Sequence, residues 1–396
     1  MSFDTSVQLS ARMSGLRSSA IRDLLTLTAR PDVIGLAGGL PATELVPRER
    51  ITAAAERALA DPRSVQYGET SGWAPLREVI AARESIRIGR AVEASDVVVT
   101  HGSQQALSLL AQVLLDPGDT VVVEEPGYTG ALQVFRTAQA ALVPVALDAD
   151  GMDTAALEQV LREGLRPKLV HTVSNFHNPR GVVLAHERRV HLAALADRYG
   201  FWVIEDDPYG ELWFDAPAPP PVAAYSDRVL RLSSGSKILA PALRIGWLHG
   251  DRRVCEAVEL LKQGADLCGS SLTQQIAADL LADGPWLESH LDTVRGAYAG
   301  RARALVGALD VSFGDRVAHA AVRGGMFCWI EFSDGIDTAA LLDTAVRHGV
   351  AFVPGGAFGV ADTHRSAARL CFATYDGPVL ADGIARLRTA YDAHTA

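Results

Sequence analysis

Cysteine is scarce and badly placed for metal or cross-link chemistry. Only four occur in 396 residues; Cys255, Cys268, Cys328 and Cys371 are scattered without a C-x-x-C pair, so neither a zinc site nor a disulfide framework is expected. They read as small core filler in a reducing compartment. Long apolar runs are lacking too. The N-terminus carries no signal-peptide stretch and no segment is an uninterrupted apolar span of membrane length, so the cytoplasm is the expected location. There is no excess of positive charge. With 37 Lys and Arg against 47 Asp and Glu, the formal net charge is −10, which argues against nucleic acid as the main partner because neutralising phosphates needs a basic face. No low-complexity tract interrupts a composition that is 48% apolar and 21% charged, the balance of a soluble globular chain. A chain of this length is expected to form two lobes.

From Ala94 to Gly250, β-rich runs alternate with helical ones, which is the pattern of a parallel sheet covered by helices on both faces. The runs are Val97 to Thr100, Thr120 to Val123, Leu169 to Val173, Trp202 to Ile204, Val229 to Leu232 and Ile245 to His249. The expected fold is therefore α/β, with a mostly parallel sheet between helices and a smaller α+β lobe after it. Ligands of such sheets bind beyond the carboxyl ends of the strands, so the residues at the run exits are the candidates for chemistry.

Of these exits, Arg231 to Trp247 (RLSSGSKILAPALRIGW) is the most informative. An apolar strand empties into Ser233, Ser234, Gly235 and Ser236, followed by Lys237 and, seven residues on, Arg244. Hydroxyls and amides at a strand exit can hold a phosphate, a lysine amine can form an imine with a carbonyl, and an arginine can fork onto phosphate oxygens. Pyridoxal phosphate carries both a phosphate and an aldehyde. A lone lysine near serines is otherwise an ordinary surface lysine.

The other exits add to this. His101-Gly-Ser-Gln-Gln leads into a helix from Ala106 to Leu115; Gly102 permits the tight turn, and the amides of Ser103 and Gln104 can receive a phosphate at the helix N-terminus. A plain helix cap is the alternative for Ser103. Tyr128, in Glu124-Glu-Pro-Gly-Tyr128, can serve as a stacking platform or as a buried core tyrosine. Glu205-Asp-Asp-Pro-Tyr209 places carboxylates at the floor of an apolar site, where they need partners.

Taken together, S-x-S-K-x-L-A-P-x-L-R-I-G-W and the motifs around it resemble the fold type I pyridoxal-phosphate aminotransferases. The likeness is to the branch with 2-aminoadipate and kynurenine aminotransferases and the effector domains of MocR-type regulators. It covers nearly the whole chain. The resemblance implies that Lys237 is the Schiff-base lysine, with Ser234, Ser236 and Arg244 at the phosphate beside Gly102, Ser103 and Gln104, and that Tyr128 stacks on the pyridine. Asp206, in D-x-x-Y, would pair with the ring nitrogen, while Tyr209 and Asn178 share the phenolic oxygen; a one-residue slip would bring in Glu205 or Asp207, which otherwise read as exposed neighbours or a helix cap. Arg369, in Ala368-Arg-Leu-Cys-Phe-Ala, would clamp the α-carboxylate. Gly39, with Gly38 in Val33 to Pro47, would line the substrate entrance; an ordinary turn is the alternative. Tyr67, in Val65-Gln-Tyr-Gly, would cross a homodimer interface to the neighbouring cofactor's phosphate, or else pack at a helix start. Arg22 would face a distal substrate carboxylate, as in related 2-aminoadipate enzymes, or remain a surface arginine.

Ser174-Asn-Phe-His-Asn-Pro-Arg-Gly181 departs from the family's P-N-x-Q-N-P-T-G at Ser174, His177 and Arg180. These positions are expected to lie close to the chemistry and to bear on substrate identity. The resemblance divides the chain into an N-terminal segment (1–47), a large cofactor lobe (48–285) and a small lobe (286–396). It implies ping-pong transamination between an L-amino acid and a 2-oxo acid. Elimination, cyclisation or oxidation at the same cofactor stay open. So does a non-enzymatic sensor, although a complete regulator would need a longer N-terminal extension to hold a winged helix.

Overall fold

A computed structural model describes residues 10–13, 30–361 and 363–396. The first short strand, β1 (Ile34–Gly35), precedes helices α1 (Arg48–Leu59) and α2 (Ala74–Ile88). Then follow β2 (Val97–Thr100), α3 (Ser103–Leu114), β3 (Thr120–Glu125), α4 (Thr129–Thr137), β4 (Ala141–Asp148), β5 (Gly151–Met152), α5 (Thr154–Arg162), β6 (Leu169–Thr172), α6 (His186–Tyr199), β7 (Trp202–Asp206), β8 (Val229–Ser234) and β9 (Gly246–His249). These eight strands make one sheet in the order β2-β9-β8-β7-β6-β3-β4-β5. The pairs from β4 through β3, β6 and β7 to β8 are parallel. β9 runs antiparallel to both β8 and β2, and β5 antiparallel to β4.

Side-chain alternation divides the sheet between two cores. Val121, Leu169, Ile204, Leu230 and Leu248 face α3, α4 and, from the following segment, α7 (Arg252–Ala265). Val122, Val170, Val203 and Val229 face α5 and α6. The central strands are apolar on both sides because both sides are covered, which is why they read as continuous runs in the sequence. β4 escaped that reading: it lies near the sheet edge, is interrupted by Pro144 and is only partly buried.

The helical stretch that follows β9 is two helices. α7 ends at Ala265 and α8 (Ser271–Ala282) starts after a break in which Leu267 takes φ +64°; the Ser270 hydroxyl accepts from the Thr273 N–H at 3.3 Å to open the second helix. Gly284 and Pro285 belong to the first turn of α9 (Gly284–Phe313), where proline needs no N–H partner. Along α9, Leu287, Leu291, Val294, Tyr298, Ala302, Leu305 and Leu309 form one buried stripe at three- and four-residue spacing. It packs between the large sheet and a second, four-stranded sheet, ordered β10 (Val317–His319), β11 (Phe327–Phe332), β14 (Ala367–Cys371), β13 (Val353–Pro354). Helices α10 (Thr338–Arg347) and α11 (Gly377–Thr395) cover it, and β12 (Val350–Ala351) pairs in parallel with β1. That pairing ties the segment after β1 to the small sheet, beside the carboxyl ends of the large one.

Cys255, Cys328 and Cys371 are buried free thiols, and Cys268 is half-buried. Among the described residues no helix is long and apolar enough to cross a membrane.

Candidate active site

The strand exits, the β1 segment and the small sheet enclose a cavity of about 470 Å³. Thirteen of the residues singled out from sequence line it: Gly39, Gly102, Ser103, Gln104, Tyr128, Asn178, Asp206, Tyr209, Ser234, Ser236, Lys237, Arg244 and Arg369. Tyr67 does not; the residue is 79% exposed. Arg22 lies outside the described residues.

At one end the backbone is shaped for an anion. Gly102 has φ +80° ahead of the N-terminus of α3, and a Cβ there would sit 2.7 Å from the Arg244 guanidinium. Behind it, Gly246 packs so closely that a Cβ would come within 2.4 Å of the Gly102 carbonyl carbon. Sequence reading did not single out Gly246; only the three-dimensional approach reveals why glycine stands there. Arg244, itself left-handed at φ +54°, donates to the His101 carbonyl at 2.6 Å. The Ser234 hydroxyl donates to the Ile245 carbonyl at 2.9 Å and lies 2.8 Å from the Ser236 hydroxyl. Backbone amides, two hydroxyls and one guanidinium thus converge on one spot.

Opposite stands Lys237, whose amine donates to the Gly39 carbonyl at 3.1 Å. Burial pushes its pKa down to about 8, and the nearby positive charges of Arg369 and Arg244 act in the same direction against an opposing effect of Cys371. A lysine in this state is about one-tenth free amine at pH 7, on the order of a hundredfold more than an ordinary lysine.

The three consecutive carboxylates after Ile204 separate by strand alternation. Asp206 shares the face of Ile204 and lines the cavity. Glu205 and Asp207, expected as exposed neighbours or a cap, are instead buried on the other side. Glu205 accepts from the Ser174 hydroxyl (2.8 Å) and the Val222 N–H (3.0 Å); Asp207 accepts from Arg231 (2.7 Å) and the Gly210 N–H (2.8 Å). Asp206 has a buried carboxylate oxygen, Oδ1, with no hydrogen-bond partner among the described residues, and its Oδ2 lies 3.9 Å from the equally buried His171. An unpaired buried carboxylate oxygen is costly. It is suited to a donor brought in by a ligand.

Arg369 comes from β14. It is 1% exposed and held by the Asn178 Oδ1 (2.7 Å) and the Ala37 carbonyl (2.5 Å), with Phe327 and Phe358 against its guanidinium at 4.2 and 5.1 Å. A buried cation needs such company. Asn178 also hydrogen-bonds to Tyr209, whose hydroxyl is pushed well above its ordinary pKa, chiefly by burial. Tyr128 reaches the Gln104 side-chain oxygen at 3.1 Å, and burial raises its hydroxyl to about 12. Gly130 lies close beneath that ring: a Cβ there would meet its hydroxyl oxygen at 2.5 Å and displace it from Gln104.

Ser174, His177 and Arg180, expected close to the chemistry, do not line the cavity. Ser174 bonds Glu205, His177 faces Glu124, and Arg180 reaches Glu331 at 3.2 Å. The loop turns their side chains away while presenting Asn178 inward. Phe327, which does line the cavity, carried no signal beyond an apolar strand.

The aminotransferase class I and II family model matches residues 31–387. The chain belongs to this family. It is 38% identical over 386 residues to aromatic-amino-acid aminotransferase 1 of Thermococcus litoralis, covering 96% of this chain and 92% of the relative. The kynurenine aminotransferase of Pyrococcus horikoshii, solved in complex with PMP, superposes with a TM-score of 0.92 at 38% identity, covering 98% of each chain. The α-aminoadipate aminotransferase LysN of Thermus thermophilus, solved with N-(5'-phosphopyridoxyl)-L-leucine, does so at 0.90 with 34% identity and the same coverage. This aminotransferase therefore works with pyridoxal phosphate. The cavity fits that group: an anion cradle at one end, an amine of lowered pKa opposite, and an orphaned carboxylate oxygen where a protonated ring nitrogen can donate.

Proposed function

We propose that this aminotransferase carries an amino group from an L-amino acid to a 2-oxo acid in two half-reactions at one cavity, by a ping-pong course. The observation that carries the reading is the convergence of Lys237, Asp206 and Arg369 on a single cavity. Pyridoxal phosphate supplies an aldehyde that accepts the amino group and a ring that draws electrons from the substrate's α-carbon. Everything else falls to the chain. Ser103, Gln104, Ser234, Ser236 and Arg244, with the Gly102 turn, hold the phosphate. Tyr128 covers one face of the ring, Asp206 keeps the ring nitrogen protonated, and Asn178 and Tyr209 hold the phenolic oxygen. Lys237 would condense with the aldehyde, with loss of water, and once displaced by the substrate's amino group its freed amine would move the proton at the substrate α-carbon. Arg369 fixes the α-carboxylate by its fork, and Gly39 marks the entrance. Arg22 would select donors with a distal carboxylate.

The same reading places the enzyme in the cytoplasm as a homodimer. The exposed rings and methyls of Tyr67 (79%) and Val65 (74%) are apolar surface that a second copy would cover, and Tyr67 would then reach the partner's phosphate site. It divides the chain into residues 1–47, a cofactor lobe of 48–285 and a small lobe of 286–396.

Names of relatives choose the test. Purified enzyme is offered aromatic amino acids, 2-aminoadipate, kynurenine and leucine in turn, each with 2-oxoglutarate, and glutamate with the oxo acid of an aromatic amino acid; the oxo acid from each donor is measured together with the amino acid formed from the acceptor. Paired formation at equal amounts is expected. Oxo acid or ammonia without a matching new amino acid would overturn the proposal.

A further inference from the structure

The cofactor's phenolic oxygen is assigned above to Asn178, but nothing in that assignment explains what holds Asn178 still. The neighbouring residue does. His177 is 1% exposed, and its Nε2 lies 2.9 Å from a Glu124 carboxylate oxygen. Its Nδ1 accepts the Arg180 backbone N–H at 3.3 Å, while Nε2 lies against the Glu124 carboxylate at ion-pair distance without the alignment of a hydrogen bond. The backbone on both sides is tied as well. The His177 N–H donates to the Val182 carbonyl (2.8 Å), and the His177 carbonyl accepts from the Gly181 N–H (2.6 Å).

Glu124, at the end of β3, is equally buried. Its carboxylate accepts from the Thr172 hydroxyl at 2.6 Å and the Val173 N–H at 2.9 Å, so it also pins the end of β6 from which the loop departs. Burial alone would raise its pKa, but the His177 ring and these hydrogen bonds hold it below the ordinary carboxylate value. One carboxylate therefore fixes both the root of the loop and the residue beside Asn178. From there the chain of contacts runs on: the Asn178 oxygen is taken by Arg369, leaving its amide hydrogens for Tyr209 and the cavity.

We propose that the Glu124–His177 pair is the positioning unit that aims the Asn178 amide into the cofactor cavity and, through Asn178, keeps Arg369 in register with it. His177 touches neither substrate nor cofactor; it acts through its neighbour. The inference rests on the site reading above, namely that Asn178 donates to the phenolic oxygen. A donor there draws charge from that oxygen and so weakens its hold on the proton of the Lys237–cofactor linkage. Loss of the donor raises the pH at which that proton leaves. The other groups facing the linkage (Asp206, Arg244, Arg369, Tyr128, Tyr209 and Cys371) are kept in every variant.

The test titrates the visible absorbance of the holoenzyme with pH for wild type, Asn178→Ala, His177→Leu, His177→Gln and Glu124→Gln, with fold checked by circular dichroism. Asn178→Ala should raise the midpoint by roughly half a unit to one unit. His177→Leu and Glu124→Gln should move it the same way and raise KM for every donor several-fold. His177→Gln, whose amide can still donate to Glu124, should stay near wild type. If Asn178→Ala shifts the midpoint while a folded His177→Leu, or Glu124→Gln should the former not fold, keeps both midpoint and KM, the positioning role is wrong and the site reading stands. If Asn178→Ala itself leaves the midpoint unmoved, the site reading fails and takes this inference with it.

Discussion

Arg369 and Asn178 meet across the two sheets: a guanidinium on β14 donates at 2.7 Å to a side chain on the loop after β6. The group read as the substrate's carboxylate clamp is thus bonded to a group read as a cofactor ligand. Truncating Arg369 to alanine removes a buried charged contact that every amino acid and every oxo acid would use. A loss of about 3 kcal/mol, on the order of a hundredfold or more in kcat/KM, is expected for glutamate, leucine and aromatic donors alike. Arg22→Ala should spare the neutral donors. Single-turnover spectra with each donor measure both; a uniform loss for Arg22→Ala with Arg369→Ala near wild type would reverse the assignment.

Lys237 is expected to react as a free amine. With its pKa lowered to about 8, the protonated, unreactive form of the apoenzyme disappears as pH rises through that value. The rate at which apoenzyme captures pyridoxal phosphate should therefore climb with pH and level off with a midpoint near 8, well below the 10.5 of an ordinary lysine. Stopped-flow absorbance reads it. Borohydride followed by peptide mapping should place the reduced adduct on Lys237, and an adduct on another lysine would displace the whole site.

Composite sites make a sharper prediction than dimerisation alone. Tyr67→Ala and Lys237→Ala, each impaired alone, should regain activity when mixed and exchanged, because some heterodimers carry one intact site. Heterodimers detected by native mass spectrometry without any return of activity would count against Tyr67 reaching across.

Gly246→Ala tests the cradle without removing a polar group. The added methyl would meet the Gly102–Ser103 backbone, 2.4 Å from the Gly102 carbonyl carbon and 2.6 Å from the Ser103 nitrogen, so no side-chain rotamer relieves it. A destabilisation of about 1–3 kcal/mol is expected, together with weaker cofactor binding as the Gly102 turn is pushed toward Arg244. Gly235→Ala is the control, since its nearest neighbour would be a leucine methyl at 3.6 Å. Thermal midpoints and cofactor titration separate the two.

What could be read from the chain alone follows from the sheet. Strands buried on both faces must be apolar throughout, so each ends visibly where polar residues begin, and in a parallel sheet those ends lie together; Gly102, Tyr128, Asn178, Asp206 and Lys237 were legible for that reason. The D-x-x-Y resemblance pointed to Asp206 but left a one-residue slip to Glu205 or Asp207 open, and period-two alternation puts Asp206 on the face opposite to both. It could not say which face held the cavity. Only tertiary packing decided that, by burying Arg231 against Asp207 and leaving Asp206 Oδ1 without a hydrogen-bond partner among the described residues. It also turned Ser174, His177 and Arg180 away from the cavity although they flank Asn178, because a tight loop points neighbouring side chains in different directions. Gly246 stood in the quoted motif and Phe327 in an apolar run, but neither role was legible locally: the one meets a backbone far away in sequence, the other an arginine from a neighbouring strand, and neither contact exists until the chain has folded.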